Sequence, residues 1–223
     1  MELLLENFAN WDSLLRVYPL LLQGLVYTLW LSAVALPLGI GLGLVIAVIY
    51  SFRIRWVNIA LLVYIDLFRS FPVVVLLILI FYGMPFLGLT LGGFTAAVLA
   101  IVLNNSGYFG EIFRAGILSV PAGQTEAARA LGFKPLQVAF YIVLPQAIRN
   151  VMAPLASNSL ELVKSTPIAA LVALPELLRS ARVAQEQTYN PTPLMAAAVI
   201  FFVLLYPFAR WVARLERQAL KAR

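Results

Sequence analysis

Residues Glu126–Pro145 read EAARALGFKPLQVAFYIVLP, a polar, amphipathic segment inside an otherwise apolar chain. Thr125, just before it, belongs to the residue types that cap helix N-termini, and the alanines that follow are strong helix formers. Gly132 suits the left-handed position that ends a helix, and Pro135 suits the first turn of the next one. The segment therefore predicts a short helix starting at Glu126, a sharp turn, and a second short helix ending at the last proline.

The composition around this segment is that of a membrane protein. The chain has 223 residues, of which 62% are hydrophobic and 12% charged, and its mean hydropathy is +0.93. Soluble domains carry roughly twice that share of charged residues. The chain has no cysteine and no histidine. These absences exclude a disulfide framework and thiolate chemistry, and they remove the commonest general base and metal ligand.

Five apolar stretches are long enough to cross a bilayer, which takes about 20 residues. The predicted spans are about 20–50, 57–83, 93–114, 148–174 and 193–213. The fold class is therefore an all-α integral membrane protein, with 1–223 as a single membrane domain. Before the first span, residues 2–16 carry apolar side chains at helical spacing, which predicts an interfacial helix lying on the membrane. Glycines at 39, 41 and 43 form a small-residue stripe that predicts close helix packing.

The distribution of lysine and arginine predicts the orientation of these spans. Loops 51–56 and 114–149 and the carboxyl-terminal tail from Arg210 are rich in basic residues and share one side if the spans alternate. The other side has an acidic amino terminus, the uncharged loop 84–92, and the loop 175–192, whose charges balance. Because basic loops stay cytoplasmic, the amino terminus is predicted outside and the carboxyl terminus inside. The net charge of +6 thus reflects topology and does not indicate nucleic-acid binding.

Two predicted spans carry pairs of ionisable residues at i,i+3 spacing, each followed three residues later by a proline. The pairs are Asp66 with Arg69, before Pro72, and Glu161 with Lys164, before Pro167. An ionisable group inside a membrane costs several kcal/mol and marks a functional site by default. A proline frees a backbone carbonyl and breaks the helix, and transporters place substrate sites at such breaks. An arginine for a carboxylate and an acid for an amino group would suit a zwitterion.

Neutral polar residues at similar depth complete the candidate substrate site. The candidate substrate-binding residues are Asp66, Arg69, Ser70, Asn104, Asn105, Ser157, Asn158, Glu161, Lys164 and Thr166. An alternative is that the two charged pairs are internal ion pairs that hold spans together. A further alternative places some of the charges near a membrane face. The sequence leaves these interpretations open.

The glutamate-alanine-alanine pattern, with its glycine and its final Ile-x-Leu-Pro, resembles the EAA loop of the membrane permeases of ABC importers. Three further segments resemble the polar amino-acid branch of that family: 64–72 (YIDLFRSFP), 105–116 (NSGYFGEIFRAG) and 162–167 (LVKSTP). The resemblance covers about 20–217. It implies the type I ABC importer fold, with five or so helices per subunit. It also implies inward transport of a polar amino acid across a bacterial inner membrane.

The resemblance also implies a coupling loop, 120–146, that docks into a cleft on a nucleotide-binding subunit. The coupling residues carried over are Glu126, Ala127, Ala128, Gly132, Phe133 and Lys134, with Thr125 as the cap before them. The chain has no Gly-x-x-x-x-Gly-Lys-Ser/Thr phosphate loop. We therefore expect a transport subunit that is not itself an enzyme and carries no cofactor, with ATP and Mg²⁺ on a partner ATPase. An ordinary amphipathic connector between spans is the structural alternative.

The expected partners are two ATPase subunits, a second permease that is either the same chain or a related one, an extracytoplasmic amino-acid-binding protein, and lipid. Residues 69–72 read Arg-Ser-Phe-Pro where the family usually has Arg-Gly-Thr-Pro. Ser157-Asn158 stands where Asn-Glu is common, and Glu161 replaces an aliphatic residue. These departures lie in the predicted pocket. They imply either a substrate that differs from the usual ones or a site contributed mainly by a non-identical partner permease.

Two other function classes remain as alternatives. One is an ion-gradient transporter or channel, and the other is an intramembrane enzyme limited to Ser–Lys or paired-carboxylate chemistry.

Overall fold

The computed structural model describes residues 8–221, with side chains described up to Ala219. Those residues are helical, with connecting turns and no strand, so the all-α prediction is confirmed. The helices are α1 (Trp11–Ser51), α2 (Arg55–Ser70), α3 (Val73–Leu87), α4 (Gly93–Leu118), α5 (Ala122–Ala130), α6 (Pro135–Asn150), α7 (Met152–Val172), α8 (Leu177–Thr188) and α9 (Thr192–Lys221).

Among the described residues, three helices are each long and apolar enough to span a membrane alone. These are α1, α4 and α9, and the number rises to five if the bent pairs α2–α3 and α6–α7 each count as one span. The first pair is broken at Phe71 and Pro72 and the second at Val151. These stretches overlap the five predicted spans, although the second bent pair begins at Pro135 and not at 148. The break at Pro72 has the predicted cause, because a proline has no N–H to donate to the preceding turn.

The amino-terminal prediction needs correction where the structure describes it. Residues 2–7 of the predicted interfacial helix lie outside the described residues, but residues 11–16 belong to the first turns of α1. The Asn10 side chain accepts a hydrogen bond from the Ser13 N–H at 2.8 Å, as a helix cap does. The Asn10 N–H donates to the Thr192 hydroxyl at 2.9 Å. A capped start at Trp11 therefore joins these residues to the long helix.

Helix α8 was missed, because its residues were predicted to be the loop 175–192. Its N-cap is Glu176, whose two carboxylate oxygens accept hydrogen bonds from the N–H groups of Arg179 and Leu178 at 2.7 and 2.9 Å. Glu176 is fully buried. Burial raises the pKa of its carboxyl, opposed by those two N–H groups and by Arg182 and Arg179. The region was predicted as a loop because its charges are balanced and it is polar. One of those charges, Glu176, is in fact the buried N-cap of a helix.

The chain divides into two compact units, and the boundaries pass through the long helices. The first unit comprises 8–35, 74–101 and 162–210. Its apolar core contains Val17, Leu21, Leu177, Ala181, Ala184 and Ala197. A Cβ on Gly24 would lie 2.6 Å from the Ser180 hydroxyl oxygen, and Thr28 accepts the Leu177 N–H at 3.1 Å. The first part of α1 therefore packs directly on the start of α8.

The second unit comprises 36–73, 102–161 and 211–221. Helices α1 and α4 cross closely in this unit, where a Cβ on Gly43 would lie 2.5 Å from the Phe109 Cβ and 2.8 Å from the Gly110 nitrogen. By contrast, a Cβ on Gly41 would have no neighbour within 4 Å. The predicted close packing is therefore confirmed at Gly43, while Gly41 faces open space. The candidate site lies largely in this unit.

Candidate functional site

The broken end of α2 is capped by side chains from α4. Pro72 cannot donate to the Phe68 carbonyl, so this oxygen would lack its helical partner. Asn104 supplies the missing donor: its side-chain nitrogen donates to the carbonyls of Phe68 and Phe71 at 2.8 and 2.9 Å. One turn further along α4, the Tyr108 hydroxyl donates to the Arg69 carbonyl at 3.2 Å. Two side chains on one face of α4 thus satisfy three carbonyls at the break.

This arrangement gives Asn104 a structural role in addition to the predicted one, which stays a prediction. Asn104 is buried, and its side-chain nitrogen is committed to two backbone oxygens. Only its carbonyl oxygen is left to contact a substrate. The residue therefore holds the break in place, and any contribution to binding comes through that one acceptor.

Replacing Asn104 by aspartate should strongly destabilise the fold. The change removes both donors at constant size and sets a carboxylate against two carbonyl oxygens. Leaving one buried polar group unsatisfied costs about 1–3 kcal/mol, and here two are left. We expect a lower thermal unfolding midpoint for the purified protein in detergent. The matched control is Gln124→Glu, the same amide-to-acid change at an exposed position of α5, which should leave the midpoint unchanged. Equal midpoints for both variants would contradict the capping role.

Arg69, Asp66 and Ser70 are exposed on the last turns of α2. The Arg69 guanidinium carbon lies 5.4 Å from the centre of the Tyr108 ring. Within the described residues no ion pair joins Asp66 to Arg69, whereas an ion pair does join Glu111 to Arg114 on α4. The internal ion-pair interpretation is therefore not supported for Asp66 and Arg69. Arg69 instead stacks on an aromatic ring at the edge of the helix break.

The remaining predicted binding residues are distributed along α4 and α7. Asn105 is buried, and its carbonyl oxygen accepts a long hydrogen bond, 3.4 Å, from the Asn158 side chain. The Ser157 hydroxyl donates to the Glu216 carboxylate on α9 at 2.6 Å. Glu161 is exposed. The second unit therefore joins Asn105 to Asn158, whereas Ser157 is engaged by α9.

Two of the predicted binding residues fall in the first unit. Lys164 is exposed near the end of the α-helical part of α7. Thr166 is fully buried, and its hydroxyl donates to the Val163 carbonyl at 2.8 Å, within its own helix. At Thr166 the helix tightens to 3₁₀ geometry with Pro167 in the first turn, which is a milder disruption than the predicted unwinding. Substrate binding by Lys164 and Thr166 stays a prediction.

Several residues that the sequence interpretation did not select also shape this region. The Glu111 carboxylate and the Arg114 guanidinium form a two-point ion pair, with contacts of 2.6 and 2.7 Å. Helix α4 continues beyond Arg114, the predicted end of the third span, and the Arg114 guanidinium carbon is 5.4 Å from the Tyr50 ring centre. The i,i+3 spacing of this pair was visible in the sequence. The aromatic partners on other helices were not.

The turn between α5 and α6 has the predicted centre and a different start. Gly132 has φ of +82°, the predicted left-handed conformation. The Phe133 N–H donates to the Ala128 carbonyl at 3.1 Å and the Gly132 N–H to the Arg129 carbonyl at 2.9 Å, which is the Schellman arrangement. However, α5 begins at Ala122 after Pro121. Thr125 is therefore inside the helix and does not cap it, because the proline already fixes the backbone at the entry.

The second predicted helix begins at Pro135, as expected, but it does not end at Pro145. The Lys134 N–H donates to the Gln137 side chain at 2.8 Å at its start. The helix then widens into a π-helical stretch, Val138–Val143, and continues to Asn150. In a π-helical stretch the backbone hydrogen bonds join residues five apart and not four. The N–H that Pro145 lacks therefore does not end the helix at this point.

The surface of this turn is exposed and partly apolar. Glu126, Ala127, Gly132 and Lys134 are exposed, and Ala128 is buried. Leu131 is 79% exposed, whereas Phe133, the predicted apolar plug, is 36% exposed. Leu131 therefore projects further into solvent than Phe133 does. The turn offers exposed apolar side chains, with Leu131 the most exposed of them and Leu136 at 57%, beside a charged edge.

Comparison with known proteins is consistent with this architecture. Residues 39–221 match the family described as the binding-protein-dependent transport system inner membrane component, which covers most of the chain. The chain belongs to this family. The permease is 30% identical over 212 residues to the glutamine transport system permease protein GlnP of Escherichia coli, covering 94% of the chain and 97% of GlnP.

Two further comparisons concern relatives of the permease. It is 32% identical over 200 residues to the probable amino-acid ABC transporter permease protein YckA of Bacillus subtilis, covering 89% of the chain and 88% of the relative. The crystal structure of an amino acid ABC transporter with histidines superposes with a TM-score of 0.81 at 34% identity, covering 92% of the permease and 97% of that chain. The permease thus has the type I importer fold and is a transport component of an inner membrane.

Proposed function

We propose that the permease forms the membrane pathway of an ATP-driven importer for a polar amino acid delivered by an extracytoplasmic binding protein. The observation that carries this proposal is the exposed α5–α6 turn. An exposed Schellman turn with a projecting Leu131 suits a groove on a second protein, and a transporter powered within its own chain would not need such a surface. The amino-acid substrates named for the relatives support the choice of substrate class.

ATP and Mg²⁺ bind to the partner ATPase in this proposal, since the chain has no phosphate loop. The coupling surface consists of the exposed residues around the turn, with Glu126 and Ala127 on α5 and Gly132 to Lys134 after it. Two ATPase subunits and a second permease, identical or related, complete the membrane assembly. The amino terminus lies outside and the carboxyl terminus in the cytoplasm, as the basic loops indicate.

The substrate is held at the broken helix α2 and the facing part of the second unit. Arg69 binds the carboxylate, because a guanidinium presents two parallel N–H donors that match it. Asp66 or Glu161 binds the amino group. Asn105 and Asn158, already in contact, and Ser70 at the exposed helix end contribute neutral hydrogen bonds. The stacked and exposed position of Arg69 supports this role over that of an internal ion pair.

Omission of single components from proteoliposomes tests the proposed function. The permease is reconstituted with an ATPase and a binding protein encoded beside it, and uptake of a panel of radiolabelled polar amino acids is measured. We expect uptake only with all three proteins and with ATP on the ATPase side. An imposed proton or sodium gradient without ATP should drive none.

The same experiment decides between this proposal and an ion-gradient transporter. Uptake by the permease alone, driven by an ion gradient, would overturn the proposal and favour the alternative, in which buried acids relay protons. Uptake that needs ATP but accepts only non-amino-acid solutes would leave the ATP-driven mechanism intact and overturn the substrate class.

A further inference from the structure

We propose that Tyr108 is a positioning residue that orients Arg69 for capture of the substrate carboxylate. This inference rests on the proposed function, in which Arg69 binds that group. Tyr108 makes two contacts to the same residue: its ring lies under the Arg69 guanidinium, at 5.4 Å, and its hydroxyl donates to the Arg69 carbonyl at 3.2 Å. A single side chain therefore holds both the backbone and the charged end of Arg69.

The position of Arg69 explains why such a holder is needed. Arg69 lies one residue before the end of α2 and is exposed. A long side chain at a broken helix end has many rotamers, and ordering it at the moment of binding weakens binding. Stacking restricts the guanidinium in advance. A cation–π contact uses none of the N–H donors in a hydrogen bond, so they remain available for a carboxylate.

The residues beside Tyr108 favour this arrangement. A Cβ on Gly107 would lie 3.2 Å from the Arg69 Cγ and from the Ile65 carbonyl oxygen, so the glycine makes room for the arginine stem. Glu111, three residues after Tyr108, lies within electrostatic range of Arg69. Its carboxylate is held by Arg114 through two contacts. The nearby acid therefore makes its direct contacts with Arg114, while its charge also acts on Arg69.

The test measures ATP hydrolysed per amino acid imported, in the complete importer in proteoliposomes with saturating binding protein. The variants are Tyr108→Phe, Tyr108→Leu, Arg69→Gln and the double variant Tyr108→Leu with Arg69→Gln. If Tyr108 positions Arg69, Tyr108→Leu should raise this ratio about 3- to 10-fold, the scale of a cation–π contact, with the ATPase rate unchanged. Tyr108→Phe keeps the ring and should rescue most of the loss. The double variant should be no worse than Arg69→Gln alone.

Other outcomes overturn the inference in distinct ways. An additive double variant, or a Tyr108→Phe variant as defective as Tyr108→Leu, would show that the ring does not act through Arg69. A parallel fall of ATPase and uptake in Tyr108→Leu would indicate a structural role alone. An unchanged ratio in Arg69→Gln would instead overturn the proposed role of Arg69. If Tyr108→Leu does not assemble, fluorinated phenylalanines at position 108 replace it; the ratio should rise with each fluorine, and a flat series contradicts the proposal.

Discussion

Replacing Gly43 by valine is expected to prevent accumulation of the folded permease. Even a Cβ at this position would lie 2.5 Å from the Phe109 Cβ and 2.8 Å from the backbone nitrogen of Gly110. The second contact is with backbone, so it is not relieved by a rotamer change. Inserting atoms into a packed interior costs about 1–3 kcal/mol and at times more, and the crossing of α1 with α4 supports the rest of the second unit. We expect a cost of about 3 kcal/mol or more.

The measurement for Gly43 is the yield of monodisperse protein and its thermal unfolding midpoint in detergent. Gly41→Val is the matched control, since it lies two residues away on the same helix and a Cβ there has no neighbour within 4 Å. The control should match the unsubstituted protein in yield and midpoint. Similar yields and midpoints for Gly43→Val and Gly41→Val would contradict the close crossing of the two helices.

Replacing Gly132 by valine is expected to separate ATP hydrolysis from transport. Gly132 has φ of +82°, a region that a β-branched residue adopts only as an outlier. The left-handed conformation costs about 1–2 kcal/mol for an ordinary residue, and about 1.4 kcal/mol is a tenfold change in an equilibrium. The α5–α6 turn should therefore leave its Schellman geometry and displace Phe133 and Lys134. We expect uptake to fall about tenfold or more while the ATPase subunit stays active.

Gly41→Val is the control for Gly132, because Gly41 lies in α1, outside the coupling loop, with an ordinary backbone conformation and open space at its Cβ. ATP hydrolysis and uptake are measured in the same proteoliposomes for both variants. The control should retain coupled uptake. Full uptake by Gly132→Val, at an unchanged ATP cost per amino acid, would show that the geometry of the turn does not transmit the motion.

The features that the sequence predicted well are those set by neighbouring residues. Gly132 and Pro135 fix the turn between α5 and α6 because one tolerates positive φ and the other begins a helix. Pro72 breaks α2 because the missing N–H acts within one helical turn. The five apolar stretches could be predicted because a run of about 20 apolar residues indicates a membrane span by its composition alone. Each of these effects is local in sequence.

The features that it missed depend on partners far along the chain. The capping role of Asn104 was not predicted, because its partners are the carbonyls of Phe68 and Phe71 at the broken end of α2; its contact with a substrate stays a prediction. Helix α8 was predicted as a loop because its region is polar and charged, and the sequence did not show that Glu176 is buried as its N-cap. Pro121 replaced Thr125 as the N-cap of α5, and the π-helical stretch before Pro145 let α6 continue to Asn150. In these cases packing and hydrogen bonding outweighed the local pattern.

The candidate substrate site combines features that the sequence predicted with features that it missed. The exposed end of α2, with Asp66, Arg69 and Ser70, is where the pattern of charge and proline indicated a site. The stacking of Arg69 on Tyr108 was not predictable, because it requires the contact of α2 with α4 at Gly107. The roles of Glu161, Lys164 and Thr166 stay predictions.

Site-directed crosslinking at the α5–α6 turn tests the central claim, that an ATPase docks on this turn, most directly. The chain has no cysteine, so Leu131→Cys introduces a single thiol at an exposed position. Tyr189→Cys is the control: Tyr189 is 96% exposed and lies in a loop predicted on the other side of the membrane. With a maleimide-linked benzophenone, which bonds to the introduced thiol and on illumination inserts into a C–H bond of the protein beside it, we predict a crosslink from position 131 to the ATPase subunit and loss of uptake on crosslinking, with neither at position 189. No crosslink at 131, or equal crosslinking at both positions, would contradict the account.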